Sequence, residues 1–171
     1  MPISQTRSSS TASSSRRTKV DAVKLLKADH AEVKKLFAQY EKLAKAGAPS
    51  AERSRCAGEI CDKLTVHATI EEEIFYPAAR EALGASHEDL VDEADVEHAS
   101  AKQLIAEIQS SDPSDDHYDA KVTVLGEYIN HHVKEEQNEM FPKLTKKLDM
   151  AALGEQLRAR KAELMEGLPL H

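Results

Sequence analysis

The chain has 171 residues and a formal net charge of −7, which suits one domain with a tail and argues against nucleic acid or an anionic membrane as the main partner. Its residues are 40% hydrophobic and 31% charged, with only six glycines and six prolines, so long helices are expected and strand-like alternation is absent. No apolar run approaches the roughly 20 residues of a membrane span. Cys56 and Cys61 form no CxxC pair and cannot bridge along one helix, which suits reduced thiols in a cytoplasmic protein.

Residues 1–19 (MPISQTRSSSTASSSRRTK) are rich in serine and threonine, carry four basic residues and no acidic one, and contain almost no large apolar side chain. That composition predicts a disordered tail rather than a targeting helix, which would need an apolar face. From Val20 the apolar residues step by three and four. The first run reads Val23, Leu26, His30, Val33, Phe37, Tyr40 and stops near Gly47-Ala-Pro49. Ser50 is placed to cap a second run, in which Ile60, Leu64, His67, Glu71 and Ile74 share a stripe. Pro77 is expected to kink or end it, with Leu83-Gly84 closing the segment. Ser86 is expected to open a third helix with Val91, Ala94, His98, Ala101, Ile105 and Ile108 on its stripe, stopped by Ser110-Ser-Asp-Pro113. Ser114 or Asp115 should start a fourth, carrying Val122, Leu125, Ile129, His132, Glu136 and Met140. A short last helix, near Met150 to Met165, presents Leu153, Leu157 and Leu164 and is expected to pack outside the others.

Within these stripes one segment occurs twice. His67-Ala-Thr-Ile-Glu71-Glu-Glu-Ile-Phe-Tyr-Pro77 returns as His132-Val-Lys-Glu-Glu136-Gln-Asn-Glu-Met-Phe-Pro142, with histidine, glutamate and proline at the same offsets. A spacing of four places histidine and glutamate on one helix face, about a turn apart. The first and third helices repeat as well: Asp29-His30-Ala-Glu-Val-Lys34 resembles Glu97-His98-Ala-Ser-Ala-Lys102. His30, His67, Glu71, His98, His132 and Glu136 all fall on apolar stripes, where unpartnered ionisable groups would be prohibitively costly. Metal coordination offers all six one explanation, since a cation offsets the carboxylates and takes the imidazole lone pairs. His30 precedes His67 by 37 residues and His98 precedes His132 by 34, spacings that fit antiparallel hairpins. The fold expected is all-α, an up-and-down antiparallel four-helix bundle with ligands projecting inward.

These residues resemble the haemerythrin-like HHE cation-binding family, through LLKADH30, the HxxxEEEIFYP and HVKEExxxMFP segments, and Glu97-His98 within an acidic helix. The resemblance covers the chain from about residue 20, giving a domain over 20–168. It implies a non-haem centre of two iron ions, with His30, His67, His98 and His132 as terminal ligands and Glu71 and Glu136 as bridging carboxylates. The oxygen carriers of that family place a further histidine where Lys102 stands, and an aspartate five residues after the last histidine. The iron-sensing eukaryotic domains place a glutamate where Ala68 stands. The resemblance therefore points to a di-iron protein that binds or senses oxygen, nitric oxide or peroxide. The alternative it leaves open is an enzyme that decomposes peroxide, reduces nitric oxide or supports iron-sulfur cluster repair. The expected partner is that small molecule, with neither nucleic acid nor membrane; the oligomeric state is left open, with a monomer favoured. Tyr128, one turn before His132, is the candidate hydrogen-bond donor to a bound ligand. Asp29 and Glu97 are read as surface charges. His131, rotated about 100° from His132, is set aside as a ligand, and Glu72, Glu73 and Glu135 are placed near the site, solvated or hydrogen-bonded to its histidines.

Overall fold

The computed structural model describes residues 20–168, and the tail read over 1–19 lies outside the described residues. Helix α1 (Ala22–Lys45) is opened by Asp21, whose carboxylate accepts from the Lys24 N–H at 3.0 Å. Such a cap satisfies one of the donors that a helix start leaves free. Helix α2 (Ser50–Ile70) starts from Pro49, and Ser50 is its first helical residue rather than its cap. A five-residue π-helical turn, Glu71–Phe75, leads directly into α3 (Tyr76–Leu83), which ends at Gly84 with φ 63°. The positive φ is the conformation glycine adopts without penalty.

Helix α4 (Asp89–Ser110) begins three residues after Ser86, because Ser86 and His87 sit in the preceding turn. Helix α5 (Tyr118–Glu135) likewise starts later than Ser114 or Asp115. There the Ser114 N–H and hydroxyl both bond to Asp112 Oδ1, closing a local turn in place of a helix start. A second π-helical turn, Glu136–Met140, joins α5 to α6 (Phe141–Leu144). Helix α7 (Met150–Glu166) is capped by Asp149, which accepts from the N–H groups of Ala151 and Ala152.

Pro77 and Pro142 thus neither end nor break their helices. Proline lacks an N–H, and its ring clashes with the carbonyl four residues back. The π turn before each proline widens the helix where that clash would fall, and the Tyr76 and Phe141 N–H groups reach back five residues, to the carbonyls of Glu71 and Glu136.

Helices α1, α2, α4 and α5 pack in a ring, each against its chain neighbour, with α1 and α5 closing the circle. This is the up-and-down four-helix bundle with the extra C-terminal helix that the periodicity predicts. Helix α7 lies against α1, α2 and the first π turn. It approaches so closely at Gly154 that a Cβ there would sit 2.1 Å from the Val20 carbonyl oxygen.

The interior divides into two apolar clusters. One gathers Leu26, Ile70, Phe75, Tyr76, Val91, Ala94, Met140, Phe141 and Leu157. The other gathers Val33, Tyr40, Ile60, Leu64, Ala101, Ile105, Val122 and Leu125. The six ionisable residues singled out above fall at the boundary on every helix: His30 between Leu26 and Val33, His67 between Leu64 and Ile70, His98 between Ala94 and Ala101, His132 between Leu125 and Met140. The alternating order of the clusters along successive helices is the antiparallel topology, and it brings the six residues to one level.

Candidate metal centre

All six side chains are buried, Glu71 completely and Glu136 to within 1%. Four imidazole Nε2 atoms and two carboxylates converge. His30 Nε2 lies 3.0 Å from His67 Nε2 and 3.2 Å from Glu136 Oε2. His67 Nε2 lies 3.2 Å from Glu71 Oε1, and His98 Nε2 lies 3.3 Å from Glu71 Oε2. His132 Nε2 completes the ring, 3.2 Å from His98 Nε2 and 3.5 Å from Glu136 Oε2. A cation bound at about 2.1 Å with angles between roughly 90° and 110° holds neighbouring donors about 3.0–3.4 Å apart, which is the spacing found here.

The carboxylates supply a second indication. Glu71 Oε1, Glu71 Oε2 and Glu136 Oε2 are buried without a hydrogen-bond partner. A buried, unpartnered carboxylate is costly enough to demand compensation. The donors divide into two overlapping groups, His30 with His67, Glu71 and Glu136, and His98 with His132 and Glu71, each compact enough to hold a metal ion. Glu71 faces both, one oxygen to each histidine pair. Two cations bridged by carboxylates fit this donor set.

Each imidazole is held from behind through Nδ1, and the pattern repeats across the two halves. Asp29 Oδ2 lies 3.4 Å from His67 Nδ1, and Glu97 Oε2 accepts from His132 Nδ1 at 2.7 Å. Glu72 Oε1 accepts from His98 Nδ1 at 2.9 Å, and the Gln137 amide lies 2.9 Å from His30 Nδ1. Thus the residue before each first-helix histidine orients the second-helix histidine of its own half. The residue after each glutamate orients the first-helix histidine of the other half. The three carboxylates accept from Nδ1–H and so leave Nε2 of His67, His98 and His132 as the inward ligand atom, whereas at His30 it is the Gln137 amide nitrogen that meets Nδ1. Asp29 and Glu97 are therefore not the surface charges that their helix position suggested. Asp29 is 7% exposed and is also ion-paired to Lys161 of α7. Lys102, standing where the carriers have a histidine, pairs with Glu72.

These charges set the proton inventory without metal. Burial pulls the His67 imidazole down, but the charge of Glu71 and the contacts with Asp29 and Glu136 outweigh it and lift it to about 10. Burial acts likewise on His132, and Glu136 and Glu97 raise it. Burial raises Glu71, yet His67 and His98 hold its carboxyl well below the usual carboxylate range. The metal-free centre therefore keeps protons on imidazole where a metal would place positive charge.

Tyr128 takes no part, since it is 50% exposed on the outside of α5. The tyrosine at the site is Tyr76. Its hydroxyl donates to Glu136 Oε1 at 2.8 Å and lies 3.0 Å from His98 Nε2 and 3.5 Å from His132 Nε2. Regular α-helix periodicity hides it, because five residues beyond Glu71 is about 140° off the ligand face. The π turn absorbs that angle and sets Tyr76 under Glu71. The signal available in the sequence was the proline at an identical offset in both repeats. In the second repeat Phe141 takes this position and stacks on His30, with centroids 6.1 Å apart and planes 3° from parallel.

Two cavities border the centre at His30. One of about 30 Å³ is bounded by His30, His67, His98 and His132 and walled by Val33, Leu64, Ala101, Ile105, Ile129 and Val133. The other is a groove of about 590 Å³ between α1 and α5, lined by Phe37, Val122, Gly126, Ile129 and Val133, which touches the centre at His30.

Comparison with known proteins bears on the fold and the family. A crystal structure of a Hemerythrin HHE cation binding domain-containing protein from Mycobacterium kansasii superposes with a TM-score of 0.71 at 23% identity, covering 86% of this chain and 88% of the other. A DNA nickase from a Nostoc strain is 32% identical over 85 residues, which span 49% of this chain but only 23% of that protein. The family model described as Hemerythrin HHE cation binding domain matches residues 21–144. With that match over most of its length, the chain belongs to the Hemerythrin HHE cation binding domain family.

Proposed function

We propose that this chain is a non-haem di-iron protein that binds or senses a small oxidant: oxygen, nitric oxide or peroxide. The observation that carries this reading is the 30 Å³ cavity against the four histidines. A water-sized occupant needs about 10–15 Å³, so the space suits a diatomic or peroxide. Nitrogen and oxygen donors suit iron. With Glu136 Oε1 held by Tyr76, the four imidazole nitrogens and the remaining carboxylate oxygens would leave open positions at two six-coordinate irons. When bound, two irons supply those positions and redox electrons.

The protein's own side chains do the rest. The apolar wall from Val33 to Ile129 keeps bulk water from the cavity, and the groove ending at His30 gives a small apolar gas a path inward. Asp29, Glu72, Glu97 and Gln137 fix the imidazoles. The test is iron content after anaerobic ferrous reconstitution, with an absorption spectrum under air. Two irons per chain with iron–ligand charge-transfer bands are expected; fewer than one iron and no such bands would overturn the reading.

Tyr76 favours a second reading, an enzyme that turns over peroxide. Its phenol is a buried proton donor at the edge of the centre, and burial together with the charges of Glu71 and Glu136 keeps it protonated well above its ordinary range. Steady peroxide turnover lost in His132→Ala would establish catalysis, whereas binding without turnover would leave a sensor.

Among the described residues no helix is long and apolar enough to cross a membrane. Cys56 and Cys61 are both buried free thiols, in keeping with a cytoplasmic home. The large exposed apolar side chains, Val96, Val124, Tyr128 and Met165, are scattered over three helices, in keeping with a monomer, which sedimentation would test. DNA nicking is not carried over from the Nostoc relative, given the partial match and the charge of −7; nicked plasmid formed by the metal-loaded protein would reverse that judgement.

A further inference from the structure

His131 has no place in the buried centre. Its side chain is 66% exposed, yet its Nε2 lies 3.1 Å from Glu135 Oε1 one turn on and 3.5 Å from Glu97 Oε1 across on α4. His131 and Glu135 form a third HxxxE spacing, one residue out of step with the second. The three donor atoms lie within 4.8 Å of one another, the compactness that also defines the two buried groups. The two separations from His131 match, within a few tenths of an ångström, those of neighbouring donors around one cation.

Two features join this cluster to the interior. Glu97 is shared, with Oε1 toward His131 while Oε2 accepts from the ligand-type imidazole of His132 at 2.7 Å. A cavity of about 10 Å³, room for one water-sized occupant, is lined by Glu97 and Glu135 of the outer cluster and by His132 and Glu136 of the centre. Leu90, Ala94 and Met140 form its apolar walls.

We propose that Glu97, His131 and Glu135 form a separate surface site for a divalent first-row metal ion, which captures the ion and passes it through this cavity to the buried centre. This inference rests on the reading of the buried residues as a metal centre. Only three protein donors are offered, so water completes the coordination and the ion exchanges readily. The buried centre, with four histidines and two glutamates, is the better trap. The acidic stretch of α4 leading to His98 and the net charge of −7 concentrate cations at this face. No bond to the ion changes its oxidation state in this step; one set of oxygen and nitrogen ligands replaces another.

The test uses the full chain, stripped of metal with chelator, beside His131→Ala and Glu135→Gln, neither of which removes a ligand of the buried centre. Equilibrium dialysis against Zn²⁺ is expected to show one more ion per chain in the parent protein than in either variant. Ferrous loading of the buried centre, followed by absorbance under air at limiting Fe²⁺, is expected to slow about tenfold in both variants, a steering-sized effect, and to reach the parent endpoint. Equal Zn²⁺ counts in all three proteins, or loading rates within about twofold, would overturn the proposal. A count below two in the variants would instead indict the buried centre, so the two readings fail separately.

Discussion

Replacing Tyr76 by Phe isolates the one hydroxyl at the centre. Phe141 occupies the same position in the second repeat, so the ring itself is compatible with the local backbone. In the metal-free protein Tyr76 donates to Glu136 Oε1 at 2.8 Å, and the other oxygen of that carboxylate already has no hydrogen-bond partner. Removing the donor leaves Oε1 of this buried carboxylate orphaned, with only the His30 and His132 imidazoles beside Oε2. A hydrogen bond to a charged group contributes about 1.5–3 kcal/mol, and an orphaned buried acceptor costs the upper part of that range. For a domain of this size each kcal/mol moves Tm by about 2–4 °C, so a fall of roughly 4–12 °C is expected without metal. If metal fills the two proposed positions it would compensate Glu136 directly, and the loss should shrink below about 1 kcal/mol. Denaturant titration of the parent and variant, with chelator and with saturating Zn²⁺, measures both numbers. An equal loss in the two conditions would show that Tyr76 acts through packing alone. No loss in either would refute the geometry assigned to its hydroxyl.

Glu71→Ala should cost more than one ligand, because its two oxygens face different histidine pairs; metal content is expected to fall to one ion or fewer per chain with helicity retained by circular dichroism. Stability of the metal-free protein should decline as pH rises from about 6.5 to about 10, since His67 is lifted to about 10 in the folded state against about 6.5 unfolded. A raised folded value means the contribution is complete below the lower figure and is lost through the upper one, roughly 2–5 kcal/mol over the window; a flat profile with chelator would contradict the proton inventory, and a flat profile with metal is expected. Gly154→Ala places a methyl 2.1 Å from the Val20 carbonyl oxygen, which forces α7 away from α1 and should destabilise by about 1–3 kcal/mol; an unchanged denaturation midpoint would show that the contact is relaxed in solution.

The bundle was legible because its signal is one-dimensional. Apolar steps of three and four reported which face of each helix is buried, and ionisable residues on that face stood out as an anomaly needing one cause. Helix starts were less legible. Ser50, Ser86 and Ser114 are good capping residues, but at Ser114 the hydroxyl and N–H found Asp112 first, and Ser50 joined the helix opened at Pro49. The groups behind the imidazoles were misread for a different reason. Asp29 and Glu97 are judged outward by their own helices, yet their partners lie on the neighbouring one, and no single-helix projection contains that distance. Tyr76 was missed because the rule applied, 100° per residue, fails at the π turn. Tyr128 was chosen by the same rule, and half of its surface lies open to solvent.

The two halves repeat in backbone, but their departures from symmetry fall on one side. Around His98 and His132 stand two carboxylates, Glu72 and Glu97, and the hydroxyl of Tyr76. Around His30 and His67 stand the neutral Gln137, the stacked ring of Phe141, and Asp29 held by Lys161. Carboxylate partners make an imidazole a stronger donor, so the first position should favour the more highly charged ion. The second is less polar and lies where the apolar groove meets His30. A chain that needed only to hold metal would gain nothing from this difference, whereas one that moves electrons or protons at a bound ligand gains direction from it. Mössbauer spectra of iron-loaded protein are therefore expected to resolve two doublets, with Glu72→Gln shifting one of them. A single doublet in the parent protein would mean that the asymmetry of Tyr76 and Phe141, Glu72 and Gln137, does not reach the metal.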